Sequence, residues 1–314
     1  MNQIDEKGKQ ILALLDQNAR LPISTIAKKT RLNKDVVHYR VAKMEKEGII
    51  LGYYTLIDTH KLGYFTIRVY FDLVGMRKET LRQFISYLDK NFRAAQIFSI
   101  DGAYQLGIIT WEQSIYTLEG KLKALKEHFG NYINDYEVAF FTEFHNYFRK
   151  YLPRVPPTVL SLKEGKAEQI DDIDKKLLLL LSTNARMTSV EISSHLRIPQ
   201  RTVVYRIKRL EKKKIILGYR ANINIASLGY ENYFVEVYTS QQSKKSIEQW
   251  AQYHPQCIGV DYVLHGTDIE LEVEVESKRK LLAFINELKE KFVHIKKIRY
   301  WSTIEYLKLT YFPN

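Results

Sequence analysis

The chain has 314 residues, with 48 Lys and Arg against 36 Asp and Glu and a formal net charge of +12 at pH 7. A hydrophobic fraction of 45% with 12% aromatic residues excludes a disordered or fibrous chain, and the length suits two domains or more. Cys257 stands alone, which excludes an intrachain disulfide and a Cys-rich zinc site. The longest aliphatic run, Leu177 to Leu181, falls far short of the roughly 20 residues that span a bilayer, and the first ten residues lack the apolar stretch of a secretory signal. A cytoplasmic protein with no membrane partner is expected, and the basic excess points to an anionic partner such as nucleic acid.

An internal repeat organises the chain. At an offset of 166, residues 4–71 align with 170–237 without a gap, and 26 of the 68 pairs are identical. The matches cluster at Asn18-Ala19-Arg20 with Asn184-Ala185-Arg186, Tyr39-Arg40 with Tyr205-Arg206, Ile49 to Tyr53 with Ile215 to Tyr219, and Leu62-Gly63-Tyr64 with Leu228-Gly229-Tyr230.

Read in chain order, each copy opens with three helices. Ile11, Leu12, Leu14 and Leu15, and in copy two Leu177, Leu178, Leu180 and Leu181, have the spacing of an amphipathic first helix. A short helix over 22–30 or 189–196 follows, then a tight turn and a longer third helix ending near Gly48 or Lys214. Asn33 is a suitable N-cap, and Pro199 is tolerated at a helix start. The segments 49–58 and 215–224 read as two-stranded wings. Each copy then reads as a βαββαβ unit. Copy one has a strand over 65–73, a helix over 78–91, a hairpin at Gly102, a helix over 112–129 and a strand over 132–148. Copy two has a strand over 233–239, a helix over 244–253, a hairpin at Gly266, a helix over 278–292 and strands over 295–312. Such units form an antiparallel sheet with helices on one face and leave the other face to be covered. Segment 153–169, with Pro153, Pro156 and Pro157, reads as a linker. The expected fold class is α+β, with domains 1–60, 61–152, 170–226 and 227–314 around that linker, packing as an intramolecular pseudo-dimer, a homo-oligomer, or both.

The charge is not spread evenly. Residues 1–62 carry 11 basic and 7 acidic side chains and residues 170–228 carry 12 and 5, whereas 63–152 carry 11 and 10 and 229–314 carry 11 and 12. Basic helical heads on neutral sheet units suit a reader of double-stranded DNA. At about 100° per residue, Val37, Val41 and Met44 face inward on the third helix, while Lys34, His38, Tyr39 and Lys43 lie outward. In copy two Val203, Ile207 and Leu210 face inward, while Gln200, Arg201, Tyr205, Lys208, Arg209 and Lys212 face out. An outward tyrosine among bases and amides is what a major-groove helix offers. Arg40 and Arg206 flank the core face, where a phosphate contact and a pairing with an acidic residue of the first helix are both open. The second head, with more cations, is expected to dominate affinity.

These residues resemble the Lrp/AsnC (feast/famine) transcriptional regulators. The resemblance rests on Ile4-Asp5, Asn18-Ala19-Arg20, Val37 to Val41, Gly48 to Tyr53 and Leu62-Gly63-Tyr64, and in copy two on Ile170-Asp171, Asn184-Ala185-Arg186, Val203 to Glu211 and Gly218-Tyr219. It implies winged helix-turn-helix domains, each followed by a ferredoxin-like βαββαβ (RAM-type) domain that dimerises and senses small effectors, often amino acids. The family's Gly-x-x-Asp hairpin pattern points to Gly102, Gln105, Gly266 and Asp268 as effector residues, with Gln105 replacing the acid and Asp268 one place early. A DNA-binding regulator without catalytic activity, cofactor or metal is expected. Two alternatives are a sirohaem-decarboxylase-like enzyme of the same architecture and an effector-responsive assembly protein that does not bind DNA. Glu270, Glu272, Glu274 and Glu276 give one strand an acidic face, with cross-strand pairing to Lys297 and Arg299 as the favoured explanation.

Overall fold

The computed structural model describes residues 4–163, 167–264 and 267–313. Copy one runs α1 (Glu6–Gln17), α2 (Ile23–Thr30), α3 (Lys34–Lys46), β1 (Ile50–Ile57), β2 (Phe65–Leu73), α4 (Lys78–Tyr87), β3 (Gln96–Asp101), β4 (Leu106–Glu112), α5 (Ile115–Phe129) and β5 (Ile133–Tyr147). A strand β6 (Val159–Lys163) follows. Copy two runs α6 (Asp172–Thr183), α7 (Ser189–Leu196), α8 (Gln200–Lys212), β7 (Ile216–Ile223), β8 (Glu231–Tyr238), α9 (Gln241–Tyr253), β9 (Cys257–Val263), β10 (Ile269–Val275), α10 (Lys278–Lys291) and β11 (Lys297–Leu309). The expected hairpin glycine Gly266 lies outside the described residues. No described helix is long and apolar enough to cross a membrane.

Local chemistry sets the helix ends. Asp5 and Asp171 cap α1 and α6 by accepting from the backbone N–H of Gly8 and Asp174. Thr188 and Glu191 form a capping box on α7. Asn33 stands at the N-cap of α3, but its side chain makes no capping bond, contrary to expectation.

The wings differ from the sequence reading. Each head supplies one strand instead of two, and β1 pairs antiparallel with β7 across the copies, from Ile50 opposite Ile223 to Ile57 opposite Ile216. The heads therefore share their cores. Ala221 and Ile223 of β7 pack with Ile11, Leu12, Leu15 and Ile26 of head one. Ile57 of β1 packs with Leu177, Leu178 and Leu181 of head two. Burial of these side chains, at roughly 1.5–3 kcal/mol each, stabilises the head only when the other copy is docked.

The sheet units also exchange partners. The N-terminal half of β5 pairs with its own β2 and its C-terminal half with β9 of the other copy. In the same way β11 pairs first with its own β8 and then with β3. The ring of pairings β2-β4-β3-β11-β8-β10-β9-β5 closes back on β2. One layer of helices packs outside each half, on cores centred on Phe71, Phe84 and Leu125, and on Leu271, Phe284 and Leu288. The inner faces cover each other through Tyr70, Phe98, Phe141, Phe234 and Trp301 from both copies. The expected linker is corrected in part: Val159–Lys163 is a strand paired along β5.

Candidate nucleic-acid interface and central cavity

The third helices present the surfaces the sequence suggested. Val37, Val41 and Met44 of α3 and Val203, Ile207 and Leu210 of α8 are buried. On the opposite faces Tyr39 is 66% and Tyr205 64% exposed. Lys34, His38 and Lys43 are exposed on α3, and Gln200, Arg201, Lys208 and Lys212 on α8.

Several of the expected contacts have partners inside the protein. Arg40 Nη1 lies 2.7 Å from Asp5, the N-cap of α1. Arg206 Nη1 lies 2.7 Å from Asp171 and 2.8 Å from Asp174, and Arg209 pairs with the buried Asp174. The Arg40 hydrogen bond holds the Asp5 carboxyl below its usual range, as the Arg206 bond does for Asp171. These three arginines tie the third helix to the first helix, the pairing that the sequence left open for Arg40 and Arg206. Gln200 donates to Ser189 Oγ at 2.9 Å, and Lys43 sits 3.8 Å from Glu47. Arg201, Lys208 and Lys212 remain as the outward cations of α8.

The repeated Asn-Ala-Arg and Gly-Tyr motifs build a reciprocal lock between the heads. Ala19 N–H donates to Tyr219 O and Ala185 N–H to Tyr53 O, at 2.8 and 3.0 Å. Arg20 lies over the Tyr219 ring at 5.2 Å and Arg186 over the Tyr53 ring at 5.1 Å. Tyr53 and Tyr219 in turn donate to Glu45 and Glu211 on their own recognition helices. The lock thus reaches the helices that would read DNA.

The hairpin residues named as effector contacts perform equivalent local duties. Gln105 Oε1 accepts from the backbone N–H of Leu73 at 2.6 Å, and Asp268 accepts from Thr239 N–H at 2.9 Å. Leu73 and Thr239 are themselves repeat-equivalent, so both side chains close the same strand end. Asp268 also pairs with Lys244 at 3.2 Å. A Cβ at Gly102 would lie 2.8 Å from Trp301 Cβ, so close strand packing accounts for that glycine. Gly266 lies outside the described residues.

A feature that sequence reasoning missed lies between the β1–β7 ribbon and the sheet ring, where a cavity of about 970 Å3 opens. Its lining includes Arg68, Arg149, Asp261, Glu272 and Glu274. Arg68 is buried against Phe141, Phe234 and Trp301 and lies 2.6 Å from Glu270. Glu270 stands opposite Asp261 on β9 and Glu236 on β8. Burial pushes the Asp261 and Glu270 carboxyls up, with only partial relief from Arg68; burial and then Glu274 push Glu272 up. Arg149 holds Glu274 through Nη2 and Nε at 2.9 and 3.0 Å and meets Asp16 through Nη1 at 2.7 Å. Arg220 reaches Asp16 at 2.6 Å. The acidic face of β10 therefore points inward to Arg68 and Arg149, not to Lys297 and Arg299. Arg299 instead pairs with Glu236, because β10 lies between β8 and β9 and does not touch β11. Alternating glutamates were the visible signal, but their partners lie far away in sequence.

Comparison with known proteins fits this geometry. The winged helix-turn-helix DNA-binding family matches residues 4–50, and the AsnC-type helix-turn-helix domain matches residues 170–211. The HTH-type transcriptional regulator LrpB of Bacillus subtilis is 33% identical over 141 residues, which are 40% of this chain and 94% of LrpB. The chain belongs to the Lrp/AsnC family. The Lrp/AsnC regulator LrpA of Pyrococcus horikoshii is 32% identical over 108 residues, 34% of this chain and 75% of LrpA. Each relative spans about one copy, so this chain is a tandem form of the Lrp/AsnC architecture. The two helix-turn-helix domains and these relatives support a DNA-binding transcriptional regulator.

Over the whole length, this Lrp/AsnC chain resembles the crystal structure of the siroheme decarboxylase NirDL. The TM-score is 0.65 with 10% identity, covering 96% of this chain and 92% of that one. The same enzyme in complex with an iron-uroporphyrin III analogue gives a TM-score of 0.66 at 10% identity, covering 98% and 94%. This corrects the expectation that the chain is not an enzyme, since an enzyme has this whole-chain architecture. At that identity the likeness is one of fold.

Proposed function

We propose that one molecule presents two unlike DNA-reading heads and acts as a sequence-specific regulator at asymmetric or imperfectly palindromic sites. The observation that carries this reading is the pair of exposed tyrosines, Tyr39 and Tyr205, at repeat-equivalent positions beside outward cations on helices tied together by the head-to-head lock. Phosphate contacts add a salt dependence of about 0.9 per neutralised phosphate to the slope of log affinity against log salt. Anisotropy titrations on DNA selected from a random pool test the reading. Replacing Arg201, Lys208 and Lys212 by Ala is expected to lower affinity and reduce the slope by about 2–3. Replacing Lys34, Lys43 and Lys46 should do less, because Lys43 already has an acidic neighbour. No loss from either set would refute the reading, and equal losses would refute the dominance of the second head.

A second reading is a tetrapyrrole-processing role. The whole-chain likeness to the decarboxylase and the cavity of about 970 Å3 favour it. A shift in visible absorbance on mixing the protein with iron uroporphyrin tests it, and an unshifted spectrum counts against it.

A further inference from the structure

The central cavity has a charge imbalance that neither reading uses. Of the cations on its lining, Arg149 is committed to Asp16 and Glu274, and Arg68 is committed to Glu270. Of the lining carboxylates, Glu231, Glu272 and Glu305 form no ion pair among the described residues, and Asp261 shares Arg68 with Glu270. Asp261 lies 3.9 Å from Arg68 Nη2. Glu272 has the side-chain amide of Asn232 at 3.0 Å as its hydrogen-bond donor.

On β9 Gly259 stands opposite Glu272 and presents no side chain to it, while Phe234 stands opposite on β8. A Cβ at Gly259 would lie 3.2 Å from Glu272 Oε2, so any larger residue would crowd the carboxylate. Thr303 also lines the cavity, and its buried Oγ1 makes no hydrogen bond among the described residues. The stacked rings of Tyr54 and Tyr311, 4.1 Å apart, form an apolar and π-rich wall. Carboxylates in excess of cations, a hydroxyl with no hydrogen bond among the described residues and aromatic faces around one cavity all favour positive charge carried on an apolar stem.

We propose that this cavity binds an organic ammonium ion of the aliphatic diamine or polyamine class. One ammonium group meets Asp261 and Glu272, Thr303 Oγ1 accepts a further N–H, and the methylene chain lies along the tyrosine wall. A polyanionic ligand would instead face two carboxylates already disfavoured by burial and by their acidic neighbours. The protein carries a net charge of +12, so amines are repelled by the surface at large and a measured affinity would report a specific site. The proposal is independent of DNA binding and is read on the free protein, so its failure and that of the regulator reading are separable.

Calorimetry of the full chain with putrescine and with spermidine tests it. Saturable binding is expected, weakened about tenfold or more by Asp261→Asn and by Glu272→Gln. Neither substitution should lower the melting midpoint, because burial and acidic neighbours already disfavour both ionised carboxylates. Gly259→Ala keeps every charge in place and should also weaken binding by crowding Glu272, which provides a readout if a carboxylate variant misfolds. The proposal is overturned if neither amine binds at millimolar concentration, if affinity is unchanged in all three variants, or if iron uroporphyrin binds more tightly than the amines and competes with them.

Discussion

Asp16→Ala is expected to destabilise the protein by about 3–5 kcal/mol, the range for removing one partner of a buried ion pair. Asp16 is fully buried. It accepts from Arg149 N–H at 2.9 Å, Arg149 Nη1 at 2.7 Å and Arg220 Nη2 at 2.6 Å. Arg149 keeps its two bonds to Glu274, but Arg220, with a side chain only 4% exposed, loses its ion-pair partner and becomes an uncompensated buried charge. The repeat-equivalent residue Ser182 donates within its own helix to Leu179 O, so Ser182→Ala should cost no more than about 1 kcal/mol. Burial pushes the Asp16 carboxyl up, but Arg220 and Arg149 outweigh it and leave it below the usual range. A lowered carboxyl stabilises fully above its unfolded-state value of about 3.9 and loses that contribution as pH falls through the lower folded-state value. Urea unfolding of both variants at neutral pH, followed by tryptophan fluorescence, measures the difference. A gap below about 1 kcal/mol would refute the view that the Asp16 cluster fastens head one to the sheet ring.

Arg206→Ala should lower the melting midpoint while leaving the salt slope of DNA binding within about 0.5 of wild type; Lys208→Ala should lower the slope by about 0.9 and leave the midpoint unchanged. For Asp261, burial and then Glu270 raise the carboxyl. Such a group destabilises the fold above its folded-state value, and the penalty is relieved as pH falls through that value. Asp261→Asn should therefore be more stable than wild type at pH 7, with the difference shrinking as pH falls; a midpoint difference that does not vary with pH would rule this out.

Local signals carried most of the secondary structure. The helical spacing of Ile11, Leu12 and Leu15 and of Val203, Ile207 and Leu210 returned as buried faces, and the strand expected over 65–73 is β2, buried on both faces from Thr66 to Phe71 because the other copy covers its inner side. Features set by distant chain segments were not legible. Whether Ile50–Ile57 pairs with its own head or with Ile216–Ile223 is a choice of topology, and both options need the same β-prone residues. Proline marked 153–169 as a linker, yet an edge strand tolerates nearby prolines, and β6 lies along β5. Arg209 looked outward on a helical wheel because Asp174, which pairs with it, belongs to another helix; for Arg206 a pairing with an acidic residue of the first helix was already open, and Asp171 and Asp174 supply it. The family's Gly-x-x-Asp pattern singled out Gln105 and Asp268, whereas their partners here are the backbone N–H groups of Leu73 and Thr239.

The ribbon formed by β1 and β7 has a consequence for dosage. A regulator assembled from two separate chains loses its paired heads on dilution and can combine with a defective or related subunit. Here the second head arrives tethered, so pairing is set by an effective concentration that does not change with expression level. Every molecule carries one of each head in fixed proportion. Because β1 and β7 belong to one chain and differ in sequence, a change in one strand of this ribbon need not suit an identical twin.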